Sequence, residues 1–231
     1  MTAVAARELR DGEVVFVGIG LPNLACNLAQ RTHAPHLVMI YESGAVGATP
    51  SRLPVSIGDP ALVTGSLMVC GMADVFQLFL QNGRIEVGFL GGAQVDRHGN
   101  INTTVIGSYD RPTVRLPGSG GAAEIAIHAQ RVLVVSKLSP RAFPERVEFL
   151  TSPGQRVAKV ITDKGVLERD PVSGELVLAA LFPGVEVADV KAGVAWELRS
   201  RPNLERLEPP TVTDLRVLRE VLDAKRLFFK E

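Results

Sequence analysis

The sequence predicts an α/β protein with an open, mostly parallel sheet and helices on both faces. Three observations carry this expectation. Short apolar runs rich in β-branched residues at 13–17, 37–41, 86–90 and 131–136 have the length of buried strands. Segments of helical character follow several of them, at 24–31, 74–81 and 122–129, and this alternation is what parallel sheets need. Aromatics make up only 5 % of the chain, while 22 glycines and 15 prolines supply tight turns.

Taken in order, residues 3–10 read as a helix stopped by Asp11-Gly12. The first strand, 13–17, runs into the tight loop Gly18-Ile19-Gly20-Leu21-Pro22-Asn23 and a helix over 24–31. The second strand, 37–41, ends on Glu42. Residues 44–65 read as irregular, with Pro50, Pro54 and Pro60 along them. Loops of that length are usually functional or disordered, and Val55, Ile57 and Leu62 favour function. A short helix is expected at 74–81 and a third strand at 86–90, ended by Gly91-Gly92. Shorter strands at 101–107 and 113–116 precede Gly118-Ser119-Gly120-Gly121, which opens the helix at 122–129 before the strand at 131–136. Residues 157–162 and 166–170 form a hairpin around Asp163-Lys164-Gly165, followed by a strand at 176–181. Leu215, Leu218 and Leu222 place a C-terminal helix at about 211–224, with Thr211 or Thr213 as its cap. The whole of 1–231 is expected to be a single domain.

Composition narrows the function classes. Lys plus Arg and Asp plus Glu are both 25 in 231 residues, so no basic excess points to nucleic acid or to an anionic membrane. No apolar run reaches the roughly 18 residues of a membrane span. The N-terminal residues lack the pattern of a signal peptide, and a soluble, cytoplasmic protein is expected. Cys26 and Cys70 lie in apolar surroundings and read as buried thiols, neither a disulfide nor a zinc site. His33 and His36 are separated by Pro35, so they do not form a helical metal face.

Glu42 stands out by position. A strand that ends on a carboxylate and breaks at Gly44 delivers that carboxylate to the sheet edge where open α/β sheets bind ligands. Ser43 and Gly44 complete this turn. Three glycine-rich segments, Gly18-Ile19-Gly20, Gly91-Gly92-Ala93 and Gly118–Gly121, each follow an apolar strand and are expected to converge with Glu42 on one crevice. Gly18 and Gly20 give a partial dinucleotide fingerprint, but Asn23 stands where the third glycine belongs. Backbone amides at Gly118, Gly120 and Gly121 suit a phosphate or a developing oxyanion, although a plain turn accounts for the stretch equally well on its own. Gln94 and Asn102 can supply uncharged amide donors, while Asp96–Asn100 reads as a turn with His98 exposed on it.

Together these segments resemble the β subunit of a class I CoA-transferase. The resemblance rests on Val17-Gly-Ile-Gly-Leu-Pro22, Tyr41-Glu42-Ser43-Gly44, Gly91-Gly-Ala-Gln94-Val-Asp-Arg-His-Gly-Asn-Ile-Asn102, Ile106-Gly-Ser-Tyr109 and Gly118-Ser-Gly-Gly-Ala122. It extends to Thr151-Ser-Pro-Gly154 and Val160-Ile-Thr-Asp-Lys-Gly165. The Glu-Ser-Gly form resembles the glutaconate CoA-transferase B branch, whereas the 3-oxoacid CoA-transferase branch usually carries Glu-Asn-Gly there. The resemblance implies the CoA-transferase/sugar-phosphate-isomerase type of α/β fold, coenzyme A as substrate with no permanently bound cofactor, and an α subunit as hetero-oligomeric partner. It implies that Glu42 is the nucleophile, that Gly120 and Gly121 supply oxyanion donors, and that Gly118, Gln94 and Asn102 line the oxyanion and CoA site. Gly18, Gly20, Ser43 and Gly44 are the substrate-loop candidates.

Chemistry agrees with that implication. A carboxylate that attacks a thioester and is then attacked by the released thiolate divides one hard exchange into easier steps. Water reaching the intermediate would turn the same scaffold into a CoA-ester hydrolase, the first alternative. A non-enzymatic sensor or structural subunit is the second. A DNA-binding regulator would need a helix-turn-helix and a basic face, which this chain lacks.

Overall fold

In the computed structural model, which describes residues 1–50 and 52–226, the first apolar run forms β1 (Val14–Phe16) and the second forms β2 (Val38–Ile40). The chain divides into two compact units. The first comprises Met1–Phe89, His128–Gln130 and the residues from Pro210 on; the second comprises Leu90–Ile127 and Arg131–Pro209.

In the first unit, α1 (Thr2–Arg7) packs on α2 (Leu21–Gln30). Pro22 lies in the first turn of α2, where a missing N–H costs nothing. Leu24 and Leu28 are fully buried, and burial of each contributes about 1.5–3 kcal/mol. After β2 the chain reverses at once into β3 (Ala45–Val46), and β4 (Met68–Val69) pairs with β3. A 3-10 turn at Pro60–Val63 breaks the intervening loop. The expected helix at 74–81 is α3 (Met72–Asp74), continued by π-helical Val75–Leu80. β5 (Val87–Leu90) pairs parallel with β1, and β1 pairs parallel with β2, while β3 and β4 are antiparallel. The C-terminal helix begins at Val212–Arg216, where the Thr211 hydroxyl accepts from the Asp214 N–H (3.0 Å). It continues as π-helical Val217–Leu222 and packs on α2, burying Leu218 and Leu222 inside the unit.

In the second unit, β6 (Gln94–Val95) and β7 (Ile101–Asn102) form one small antiparallel pair; β8 (Val105–Gly107) and β9 (Pro112–Arg115) form another. Helix α4 (Ala122–His128) follows the glycine segment. The larger sheet runs β10 (Arg131–Val135), β11 (Val157–Ile161), β12 (Gly165–Arg169) and β13 (Leu176–Leu181). After α5 (Val187–Lys191) it is completed by β14 (Ser200–Arg206). β10 and β11 are parallel, β11–β12–β13 antiparallel, and β13 and β14 parallel.

The α/β class and the open sheet are as expected. Three differences bear on the site. Residues 44–65 are less irregular than expected, because β3 starts directly after Gly44. The run before Gly118–Gly121 is not a buried parallel strand but β9, the largely exposed strand of the antiparallel pair β8–β9. Antiparallel pairs can leave one face to solvent. β14 carries Pro202 and polar residues, which suits an edge strand and hides it from an apolar-run search. Among the described residues, no helix is long and apolar enough to cross a membrane.

Candidate active site

Glu42 is built from the turn upward. Tyr41 N–H donates to Ala45 C=O (3.0 Å) and Gly44 N–H donates to Tyr41 C=O (2.9 Å), closing the hairpin loop Glu42-Ser43-Gly44 between β2 and β3. Gly44 has φ +107°, outside the range that side chains favour. A Cβ at Gly44 would also overlap the Cys70 carbonyl oxygen, and Cys70 N–H donates to Gly44 C=O (3.0 Å). Glycine at 44 therefore serves two needs, a turn and the close approach of the segment after β4. Glu42 is half-buried and Ser43 exposed. Among the described residues, no cation or donor engages the Glu42 carboxylate.

β1 and β2 are parallel neighbours, with Phe16 opposite Ile40. The loops that follow them thus leave the same edge of the sheet, and Gly18 and Gly20 share that edge with Glu42. A Cβ added at either glycine meets nothing within 4 Å, so the loop borders open space. Behind it, Asn23 and Tyr41 are buried and hydrogen-bonded (2.7 Å). Burial drives the Tyr41 phenol well above the ordinary tyrosine range.

The second unit holds the remaining candidates. Gly118 N–H is spent on Thr103 C=O (2.8 Å). Among the described residues, the N–H groups of Gly120 and Gly121 donate to no protein acceptor. A Cβ at Gly118 or Gly120 would meet nothing within 4 Å. Gln94 and Asn102 differ from the free donors the sequence suggests. Both are buried; Asn102 Nδ2 donates to Gln94 Oε1 (2.8 Å) and to Val105 C=O (2.7 Å), which uses both of its hydrogens. Gln94 Nε2 donates to Glu148 Oε1 (2.7 Å), and Gly107 N–H donates to Glu148 Oε2 (2.6 Å). Glu148 is thus held by two elements, and no short motif in the sequence signals it. Tyr109 stacks on Phe149 with centroids 5.5 Å apart, and the Arg115 guanidinium lies 4.8 Å from its ring centre.

Other motif residues prove architectural. Asp96 Oδ1 accepts from His98 N–H (2.9 Å) and Asn100 N–H (3.0 Å), which is the expected turn, with His98 half-buried rather than exposed. Gly154 packs so closely that a Cβ there would overlap the backbone of His98, Gly99 and Asn100. Arg169 binds that junction, donating to the carbonyls of His98 (2.6 Å), Gly154 and Val157 (3.2 Å). Thr162 Oγ1 accepts from the N–H groups of Lys164 (3.1 Å) and Gly165 (3.0 Å), closing the β11–β12 turn. His33 and His36 bind separate partners, the Leu9 carbonyl (3.1 Å) and Asp11 (2.8 Å). Among the described residues, no group of three or more His, Cys, Asp or Glu is placed to hold a metal ion.

A profile described as "Coenzyme A transferase" matches residues 1–193. The B-type chain of 3-oxoadipate CoA-transferase from Pseudomonas knackmussii is 45 % identical over 234 residues, covering 95 % of this chain and 90 % of the relative. The B-type chain of glutaconate CoA-transferase from Acidaminococcus fermentans is 31 % identical over 245 residues, covering 97 % and 91 %. The crystal structure of glutaconate coenzyme A-transferase from Acidaminococcus fermentans superposes with a TM-score of 0.93 at 29 % identity, covering 100 % of this chain and 95 % of that one. Agreement that extends along nearly the whole chain, in sequence and in fold, means that the protein belongs to the coenzyme A transferase family.

Proposed function

We propose that the chain is the β-type subunit of a CoA-transferase in which Glu42 carries CoA as a covalent thioester. The observation that carries this reading is the Glu42 carboxylate itself: strand-end, half-buried, unengaged among the described residues, and on the same sheet edge as the open Gly18–Gly20 loop.

The Glu42 carboxylate attacks the acyl-CoA carbonyl and expels CoA thiolate, forming an acyl-glutamyl anhydride. The thiolate attacks the glutamyl carbonyl, releases the donor acid, and leaves glutamyl-CoA. An acceptor carboxylate attacks that thioester and expels the thiolate again. The thiolate then takes the new acyl group and frees Glu42. Each addition places negative charge on a carbonyl oxygen, which preorganised N–H donors stabilise. We assign that role to Gly120 and Gly121, whose N–H groups are unspent among the described residues. Gly118 gives CoA clearance at the backbone; Gln94 and Asn102 act by holding Glu148. Gly18, Gly20, Ser43 and Gly44 surround the acyl group. Coenzyme A is a substrate in this scheme, and no resident cofactor takes part.

An α-type subunit completes the enzyme and keeps water from the anhydride. The relatives named above are both B-type chains, and both are named for dicarboxylic acids, 3-oxoadipate and glutaconate. We therefore assign a dicarboxylic acid as one acyl substrate. Two unpaired cysteines fit a reducing, cytoplasmic setting. The test is initial-rate kinetics of the complex with two substrates. Parallel double-reciprocal lines, and loss of transfer in Glu42→Ala, are expected. Intersecting lines, near-normal turnover by Glu42→Ala, or CoA release without acceptor would count against transfer through Glu42.

A further inference from the structure

Behind the Glu42 turn lies a buried polar chain that the reaction above does not use. Arg31 donates from Nη1 to Asn27 Oδ1 (2.8 Å) and from Nη2 to the Pro50 carbonyl (3.0 Å). Asn27 Nδ2 donates to Asn23 Oδ1 (3.0 Å). Asn23 Nδ2 donates to Tyr41 Oη (2.7 Å), and the Tyr41 hydroxyl donates to Met39 Sδ (3.6 Å). Asn23, Asn27 and Tyr41 have relative exposures of 1 %, 0 % and 1 %.

The hydrogen bonds of this chain run in one direction. A guanidinium has donors and no acceptor, so Asn27 turns its oxygen to Arg31. Its amide nitrogen then faces Asn23 and donates to both the side-chain oxygen and the backbone carbonyl of that residue (3.0 Å each). The Asn23 nitrogen is left for Tyr41, whose oxygen accepts and whose proton goes to the thioether. One charge at the end of α2 thus fixes two amide orientations and one hydroxyl.

Such a chain is an expensive way to fill space. Each buried polar group costs about 1–3 kcal/mol if it loses its partner. Leu24 and Leu28, on the same helix, show that apolar residues pack well here. What the polar chain joins is specific. Asn23 lies in the first turn of α2, directly after the Gly18–Gly20 loop; Tyr41 is the residue before Glu42. The Asn23–Tyr41 bond therefore ties together two loops that leave the same sheet edge.

We infer that Arg31, Asn27, Asn23 and Tyr41 form a positioning relay that fixes the Glu42 turn against the Gly18–Gly20 loop, with Arg31 setting the direction of its hydrogen bonds. The inference rests on Glu42 being the nucleophile. Attack on a thioester needs near-contact geometry, and a misplacement of about 1 Å costs on the order of 100-fold in rate.

The test compares variants in the complex with the partner subunit, reading kcat, KM for acyl-CoA, melting temperature and the rate of adduct formation on Glu42. Tyr41→Phe orphans the Asn23 donor and lowers both stability and kcat. The double variant Tyr41→Phe/Asn23→Leu removes that donor as well, and Asn27 Nδ2 keeps the backbone carbonyl at position 23 as its acceptor. Its melting temperature is expected to recover while kcat and adduct formation stay down by roughly 10-fold or more, with KM within about two-fold of wild type. Arg31→Lys, which still only donates, is expected to retain more kcat than Arg31→Met. Recovery of kcat together with stability in the double variant, wild-type kcat in Tyr41→Phe, or equal kcat in the two Arg31 variants would overturn the relay. Failure of the underlying assignment is recognised separately, by turnover that survives Glu42→Ala.

Discussion

Gly44→Ala isolates the backbone demand of the Glu42 turn. An L-residue at φ +107° carries strain of about 1–2 kcal/mol. The new methyl would overlap the Cys70 carbonyl oxygen, which is backbone and cannot rotate away. Relief means moving Gly44 and Cys70 apart and losing the Cys70 N–H to Gly44 C=O bond, about 1 kcal/mol more. The sum is about 2–3 kcal/mol. A chain of this size shifts its melting temperature by about 2–4 °C per kcal/mol, so a fall of roughly 4–12 °C is expected. Differential scanning fluorimetry or calorimetry reads it. Gly18→Ala is the control. Its Cβ meets nothing within 4 Å, so its melting temperature should stay within about 2 °C of wild type. A Gly44→Ala protein that melts with wild type, or a Gly18→Ala protein that falls equally far, would refute the assignment of Gly44 to architecture and Gly18 to open space.

Glu42→Gln should melt with wild type, because among the described residues nothing engages the carboxylate, yet lose CoA transfer; steady-state assay and a melt on the same sample check both. Asp59 is held well below its ordinary value of 3.8, chiefly by hydrogen bonds from Arg52, then by the N–H groups of Ala61 and Val55. A depressed folded-state pKa contributes stability that is present above the unfolded value and lost as pH falls toward the folded one. Asp59→Asn should therefore melt below wild type at every pH above about 5, with the gap closing only in acid below about 3.8; a gap that is constant down to pH 2 or absent at neutrality would contradict this. Arg169→Met strips donors from the carbonyls of His98, Gly154, Gly174 and Val157 and should destabilise by about 2–4 kcal/mol, measured by denaturant titration, with no specific effect on kcat.

Much of this was legible in the residues. The strands around Glu42 follow from apolar runs bounded by Gly18 and Gly44, since backbone freedom and side-chain burial leave few other arrangements. What escaped has identifiable causes. β3 and β4 are two residues long, too short for a period to show. β14 lies at a sheet edge, where solvent replaces the apolar signal. Gln94 and Asn102 were legible as important but not as spent: whether an amide faces a pocket or a neighbour depends on Glu148, distant in sequence. Arg52 is engaged by Asp59, and Arg115 by the Tyr109 carbonyl and ring, contacts that depend on the local chain path and not on any motif. Ser43 pointed to the glutaconate branch, and the chain is similar both to the B-type chain of glutaconate CoA-transferase and to the relative named for 3-oxoadipate.

The central claim is that Glu42 carries CoA, and intact-mass and peptide mass spectrometry of the complex after incubation with an acyl-CoA test it most directly. The account predicts a mass gain of CoA less one water on the peptide containing Glu42, discharged when an acceptor acid is added. Turnover without any adduct, or an adduct on another residue with Glu42 unmodified, would contradict it.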